Sequence, residues 1–158
     1  MSEMKNERRT EKFEAVLVEI GNLFPSKTNP RKRFCDEAAE NLARSIEVSG
    51  LLEPVVVRRS GEKFEIVAGE RRFRALKSLG RERVPCVVRE MSDLDVVRAQ
   101  LSENIARSEL SPVEEAGALA DLRELGVLEK DLAAEVSKSE GWVQARLDLG
   151  KLPEVVRD

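Results

Sequence analysis

Ala68-Gly69-Glu70-Arg71-Arg72-Phe73-Arg74-Ala75 stands between an apolar alternating run and a helical one, and its reading decides the fold. Before it, Phe64-Glu65-Ile66-Val67 alternates as a strand does; after it, Phe73, Leu76 and Leu79 keep helical spacing until Gly80. A strand therefore turns at Gly69, which has no Cβ to obstruct the turn, straight into a helix N-terminus. The free N–H groups there and the positive end of the helix dipole favour an anion. Arginines at 71, 72 and 74 add forked donors matched to phosphate oxygens. Ten basic side chains face four acidic ones between Arg58 and Arg89, so the positive excess is local. The same charges also suit a solvated basic helix with one apolar stripe, because charge alone does not distinguish a ligand cradle from a wet surface.

Working outward, residues 15–20 read as a first strand, followed by turn chemistry around Pro25 and Asn29-Pro30. Asp36 is expected to cap a helix to about residue 48, with Ala39, Leu42, Ala43 and Ile46 on its buried face and Gly50 past its end. Residues 55–58 and 64–67 are strands joined by a short connection containing Gly61, and 84–88 is another. Beyond them the pattern is helical. Ser92 caps a run with Leu94, Val97, Leu101 and Ile105 in register, and Ser111-Pro112-Val113-Glu114 has the form of a capping box with proline at the first helical position. Residues 128–136 and 142–149 flank Ser137-Lys138-Ser139 at helix-turn-helix spacing, with Trp142 expected in the core. The predicted fold is α+β: a small mixed sheet with helices, then an all-α helix-turn-helix unit. Its divisions are a flexible tail (1–14), a sheet-bearing domain (15–108) and a helical domain (109–158).

Composition narrows the chemistry. The 158-residue chain has no histidine and no tyrosine, which excludes a Ser-His triad, a histidine metal site and a histidine general base. No Walker-type GxxxxGK[ST] sequence occurs. Cys35 and Cys86, far apart, read as reduced structural thiols. No apolar run approaches membrane-spanning length and the first dozen residues are polar and charged, so a cytoplasmic protein with no membrane partner is expected. Residues 111–158 carry eleven acidic against six basic side chains, the reverse of what contact with a phosphate backbone wants.

Asn29-Pro30-Arg31-Lys32-Arg33-Phe34, Gly50-Leu51-Leu52-Glu53-Pro54-Val55-Val56-Val57-Arg58, the Gly69 motif, Val84-Pro85-Cys86-Val87-Val88 and Glu103-Asn104-Ile105-Ala106-Arg107 occur in one order across residues 29–153. In this the chain resembles the amino-terminal and central domains of ParB-type chromosome and plasmid partition proteins and their Noc-like relatives. The resemblance implies a ParB/sulfiredoxin-like sheet domain that binds CTP, with ATP the lesser candidate, and Mg²⁺. It further implies a switch in which nucleotide drives two copies to engage as a DNA clamp and slow, Mg²⁺-dependent CTP hydrolysis resets it, in a nucleoid-associated protein.

The roles implied are these. Gly69, Glu70, Arg71, Arg72 and Arg74, with Ala75 closing the motif, form the triphosphate cradle; Gly50, Leu52, Glu53 and Pro54 border the base; Arg31 and Arg107 approach the phosphates from either side. Glu103 and Asn104 hold Mg²⁺ and are the catalytic candidates, Glu103 orienting the attacking water. Read without the resemblance, Glu70 and Arg74 make a surface pair of roughly 0.3–0.5 kcal/mol, Asn104 a helix C-cap, Glu103 an exposed side chain, and Pro30 and Arg31 turn residues.

The chain departs from the family pattern at Glu53, where glutamine is common, at Ala106, and at Ser137-Lys138-Ser139-Glu140 and Asp148, where two cationic DNA contacts have become anionic. Lys138, Ser139, Gln144 and Arg146 remain as candidate DNA contacts to a centromere-like site, Gln144 being able to read adenine. A ParA-type ATPase is the expected partner of the N-terminal tail, through Arg8, Arg9 and Lys12. Family members usually continue into a linker and a dimerisation domain that do not fit after Asp158, so either the chain is a fragment or self-association falls to the nucleotide domain. Two other functions stay open: a ParB-fold kinase using ATP or ADP on a small molecule, and a helix-turn-helix regulator indifferent to nucleotide. The absence of a cysteine from the phosphate motif argues against a sulfiredoxin.

Overall fold

The computed structural model describes residues 14–153; the tail positions Arg8, Arg9 and Lys12 lie outside them. In chain order the elements are β1 (Val16–Glu19), a 3-10 turn (Ile20–Asn22), β2 (Leu23–Pro25), α1 (Asp36–Ser49), β3 (Val55–Ser60), β4 (Lys63–Ala68), α2 (Glu70–Ser78), β5 (Arg83–Val88), α3 (Asp93–Ala106), α4 (Pro112–Glu124), α5 (Glu129–Glu135) and α6 (Glu140–Gly150). This is the expected mixed α+β fold.

The strands form one sheet in the order β1-β5-β3-β4-β2. The outer pair β1/β5 and the inner pair β3/β4 are antiparallel, while β5/β3 and β4/β2 are parallel. Strand β2 falls where turn chemistry alone was expected. Its Pro25 is tolerated because β2 is an edge strand with no further neighbour to receive an N–H. Helix α1 begins with Cys35 at the N-cap and no side-chain cap, so Asp36 lies in the first turn instead of capping it. Of its expected buried face only Ile46 is fully buried, and Gly50 closes it at φ 75°.

Two apolar clusters hold the chain together. Val55, Val57, Ile66, Phe73, Leu76 and Val84 belong to one, between the sheet and α1–α2. Leu119, Leu122, Leu132, Val143 and Leu147 belong to the other, with Val97 and Leu101 from α3 and partly buried Trp142 against it. Helix α3 is the joint. One face carries Val97, Leu101 and Ile105 into the helical cluster, while the helix also packs against β4. Strand β4 answers on both faces: Glu65, Ile66 and Val67 are buried in succession, as in a strand covered on each side. Both cysteines are free; Cys35 is exposed, and burial pushes the Cys86 thiol up to about 11. No helix among the described residues is long and apolar enough to cross a membrane.

Candidate functional site

Strand β4 ends at Ala68 and α2 starts at Glu70, so Gly69 takes the N-cap at φ 96°, left-handed backbone suited to glycine. A Cβ there would lie 3.3 Å from Arg72 Cζ and 3.4 Å from Val55 Cα, so the guanidinium rests on bare backbone. Arg72 donates to Pro54 O at 2.6 Å and Glu53 O at 3.1 Å, with the Glu53 carboxylate 3.5 Å away. It thereby clamps the 50–54 segment to the Gly69 turn.

This turn forms one side of a cavity of about 150 Å³ that brings Gly69, Glu70, Arg71, Arg72 and Arg31 together with Glu103, Asn104 and Arg107. Gly50, Leu52, Glu53, Pro54, Arg74 and Ala75 are not in its lining. Leu52 is largely exposed and Ala75 is buried in the sheet cluster. Arg74 points to a separate cleft beside α1, stacked on the Phe34 ring at 4.1 Å and paired with Glu70 at 2.7 Å. The helical Glu70–Arg74 pair is therefore made, but Glu70 is more than a surface group. It is buried and also accepts from Asn29 Nδ2 at 2.6 Å, pinning the 29–34 loop to α2.

The cations of the cavity are already answered in part. Glu109 lies between Arg31 at 3.0 Å and Arg71 at 3.7 Å. The closer approach, to Arg31 Nη1, is off the line of a hydrogen bond, which leaves that buried nitrogen without a directional partner. Across the cavity α3 supplies oxygens. Glu103 pairs loosely with Arg107 at 3.4 Å. Asn104 is buried and spends its Nδ2 on the Gln100 carbonyl at 2.6 Å, which leaves Oδ1 for another group; it does not cap the helix, whose C-cap is Arg107. Oxygen donors of this kind suit Mg²⁺. Among the described residues no three His, Cys, Asp or Glu side chains gather as a metal cage.

Behind the cavity runs a line of polar groups. Arg58 binds Asp93 at 2.7 Å and Glu65 at 2.7 Å; Glu65 accepts from Ser26 Oγ at 2.6 Å; Ser26 meets Thr28 Oγ1 at 2.9 Å; and Thr28 meets the Gln100 amide at 3.0 Å. Burial works against the Arg58 charge, but Glu65 and Asp93 outweigh it and hold its pKa above the ordinary value. Sequence reasoning missed Gln100, Glu109, Ser26 and Thr28. Helical spacing alone would have flagged Gln100, one turn before Asn104 on the same face.

The candidate DNA contacts lie apart, at the α5–α6 turn. Ser139 Oγ caps α6 by accepting from Trp142 N at 3.1 Å, and Gln144 donates to Asp148 at 2.9 Å. Lys138 and Arg146 sit over the Trp142 ring at 5.7 and 4.8 Å, and Arg146 is further held by Glu115 at 2.6 Å. All four are engaged within the molecule.

The family model described as ParB N-terminal domain matches residues 3–105. The chromosome-partitioning protein Spo0J of Thermus thermophilus is 41% identical over 138 residues, 87% of this chain and 51% of that protein. The nucleoid occlusion protein of Bacillus licheniformis is 37% identical over 155 residues, 96% of this chain and 55% of its own length. The chain thus spans about half the length of the curated relatives it matches. A C-terminally truncated ParB of Caulobacter crescentus, solved with the centromeric parS site, superposes with TM-score 0.64 at 33% identity, over 90% of this chain and 75% of that one. The same protein complexed with CTP-γ-S gives TM-score 0.56 at 34% identity, over 91% and 82% of the two chains.

Proposed function

The chain belongs to the ParB family, of the ParB/Noc-like partition kind, and from that premise we propose that it is a CTP-dependent switch that closes two copies into a clamp on DNA. The observation that carries this reading is the cavity's polarity: arginines from the 29–34 loop and the Gly69 helix on one side, side-chain oxygens from α3 on the other. Such a pairing fits a metal-bound polyphosphate better than either a bare anion or a bare cation. The complex of the Caulobacter protein with CTP-γ-S supports the choice of nucleotide.

In this reading Arg71, Arg31 and Arg107 neutralise phosphate charge, and the Gly69 turn offers backbone donors. Arg72 acts through the 50–54 segment, holding Glu53 and Pro54 at the base. Glu70 and Arg74 support the cradle by fixing Asn29 and Phe34. Bound Mg²⁺ would neutralise phosphate charge and orient the phosphates; Glu103 and the Asn104 oxygen would hold it, and Glu103 would orient water for slow hydrolysis. Contact with DNA falls to Lys138, Ser139, Gln144 and Arg146, and requires Arg146 to leave Glu115. The N-terminal tail is the proposed contact for a ParA-type ATPase.

Calorimetric titration of CTP, ATP and GTP with Mg²⁺, with and without parS-like DNA, tests the reading. We expect CTP to bind in preference to the purine nucleotides and Arg71→Ala or Arg72→Ala to abolish the heat. A folded wild-type protein with no nucleotide affinity would sink it.

A further inference from the structure

Gln100 lines the cavity, is 2% exposed, and has one side-chain amide atom with no partner. With Oε1 set toward Thr28 Oγ1, the orphan is Nε2. Counting protons reverses that orientation. Ser26 Oγ donates to Glu65 Oε1 at 2.6 Å, which uses the single Ser26 hydroxyl proton. The Ser26–Thr28 contact at 2.9 Å must then use the single Thr28 proton. Thr28 has none left for Gln100, and the 3.0 Å contact between them is a hydrogen bond only if Gln100 Nε2 donates. The two amide positions are interchangeable by rotation and are settled by the network around them. The buried, unpartnered atom is therefore the carbonyl oxygen.

An orphan acceptor selects its ligand differently from an orphan donor. A phosphate oxygen, having no proton to give, cannot satisfy it. Residues 100, 103 and 104 share one face of α3 at i, i+3 and i+4, and all three line the cavity. That face carries Gln100, with its buried unpartnered oxygen, the Glu103 carboxylate and Asn104 Oδ1, while Arg31 and Arg71 come from the loop and α2. The 50–54 segment, the proposed neighbour of the base, is not in the lining beside Gln100. Mg²⁺ keeps several of its waters when it binds proteins, and each is a polarised donor.

We propose, resting on the nucleotide reading above, that Gln100 Oε1 accepts a hydrogen bond from a water of the hydrated divalent cation that accompanies the nucleotide. Gln100 is thus a positioning residue for the metal and touches neither base nor phosphate. The line Asp93–Arg58–Glu65–Ser26–Thr28 fixes its orientation from behind.

The test is calorimetric affinity for CTP, measured in excess Mg²⁺ and again in EDTA, for wild type and Gln100→Met. Methionine keeps the length and removes both polar atoms. Affinity in Mg²⁺ is expected to fall roughly two- to tenfold, the effect of one hydrogen bond, with affinity in EDTA unchanged. Cobalt(III) hexammine in place of Mg²⁺, which offers only outer-sphere N–H donors, should show the same sensitivity to the substitution. Equal losses in Mg²⁺ and EDTA would place the amide on the nucleoside or in packing and overturn the proposal; so would no loss in Mg²⁺, which would leave a buried water as its partner. Should Gln100→Met fail to fold, Gln100→Leu, which likewise removes both polar atoms, is measured in its place, and an undiminished Mg²⁺-dependent gain in that variant would count as refutation. Wild type that binds CTP in neither condition overturns the nucleotide reading together with this one.

Discussion

At the scale of single residues, Gly69 does two things that are separable by mutation. Its φ of 96° is costly for any residue with a Cβ, about 1–2 kcal/mol, and its bare face lets Arg72 lie 3.3 Å from where a Cβ would be. Gly69→Ala is expected to lower stability by about that strain and to dislodge Arg72 from the Pro54 and Glu53 carbonyls, which weakens nucleotide binding further. Chemical denaturation and CTP titration of the variant check both halves; a variant of unchanged stability would remove the strain argument. Gly69 and Arg71 were legible in the sequence because a strand-to-helix turn followed by arginine has few physical uses. Glu109 was not, since an acidic residue beside a basic site reads as solvated until its distance from Arg31 and Arg71 is known. Arg74 looked equivalent to its neighbours, yet its place on the helix turns it toward Phe34 and Glu70.

Among the elements, the serine capping boxes were the most legible feature and short edge strands the least. Ser92 and Ser111 both form complete capping boxes, as local chemistry requires. Strand β2 was hidden by Pro25 and by its length, because its existence depends on parallel pairing with β4, a contact no local pattern encodes. It matters to the site, as it delivers Ser26 to Glu65 and Thr28 to Gln100. The end of α5 has a cost that can be removed. Ser137 N donates to Ala134 O and Lys138 N to Ala133 O, a Schellman ending whose left-handed position, φ 53°, is held by serine. Ser137→Gly should raise stability by about 0.5–1 kcal/mol through relief of that strain. Thermal or urea unfolding measures it, and equal or lower stability would show that the serine is unstrained.

For the whole molecule, the sheet cluster and the helical cluster are linked by polar ties around α3 as well as by packing. Lys32 N donates to Glu114 Oε1 at 2.9 Å, Arg31 reaches Glu109, and Arg58 reaches Asp93. Burial alone would raise the Glu114 pKa, but the bonds from Lys32 and Ser111 outweigh it and hold it below the ordinary carboxylate value. Its contribution to stability is therefore complete above the ordinary value and disappears as pH falls through the lowered one. Glu114→Gln should flatten the acid limb of a stability-against-pH curve and leave the neutral region lower and level; an unaltered acid limb would mean that the Lys32 tie carries no stability. The Glu109 tie is of another kind, because it occupies the cations that a phosphate would use. A second Schellman ending, with Ser108 N on Ile105 O and Glu109 N on Asn104 O, fixes Glu109 to the end of α3. On the proposed function, ligand phosphate and the α3–α4 connection would compete for Arg31 and Arg71, and such competition is reciprocal by linkage. Glu109→Gln is expected to tighten CTP binding several-fold, the scale of one partly exposed ion pair of about 1 kcal/mol. Wild-type amides at residues 107–111 should exchange faster with deuterium when Mg²⁺ and CTP are bound, since the nucleotide releases the tie. In Glu109→Gln the same amides should exchange fast with or without nucleotide. Weaker binding by the variant would mean instead that Glu109 orients the arginines for the ligand, and the connection would then be held more firmly, not less, in the bound state.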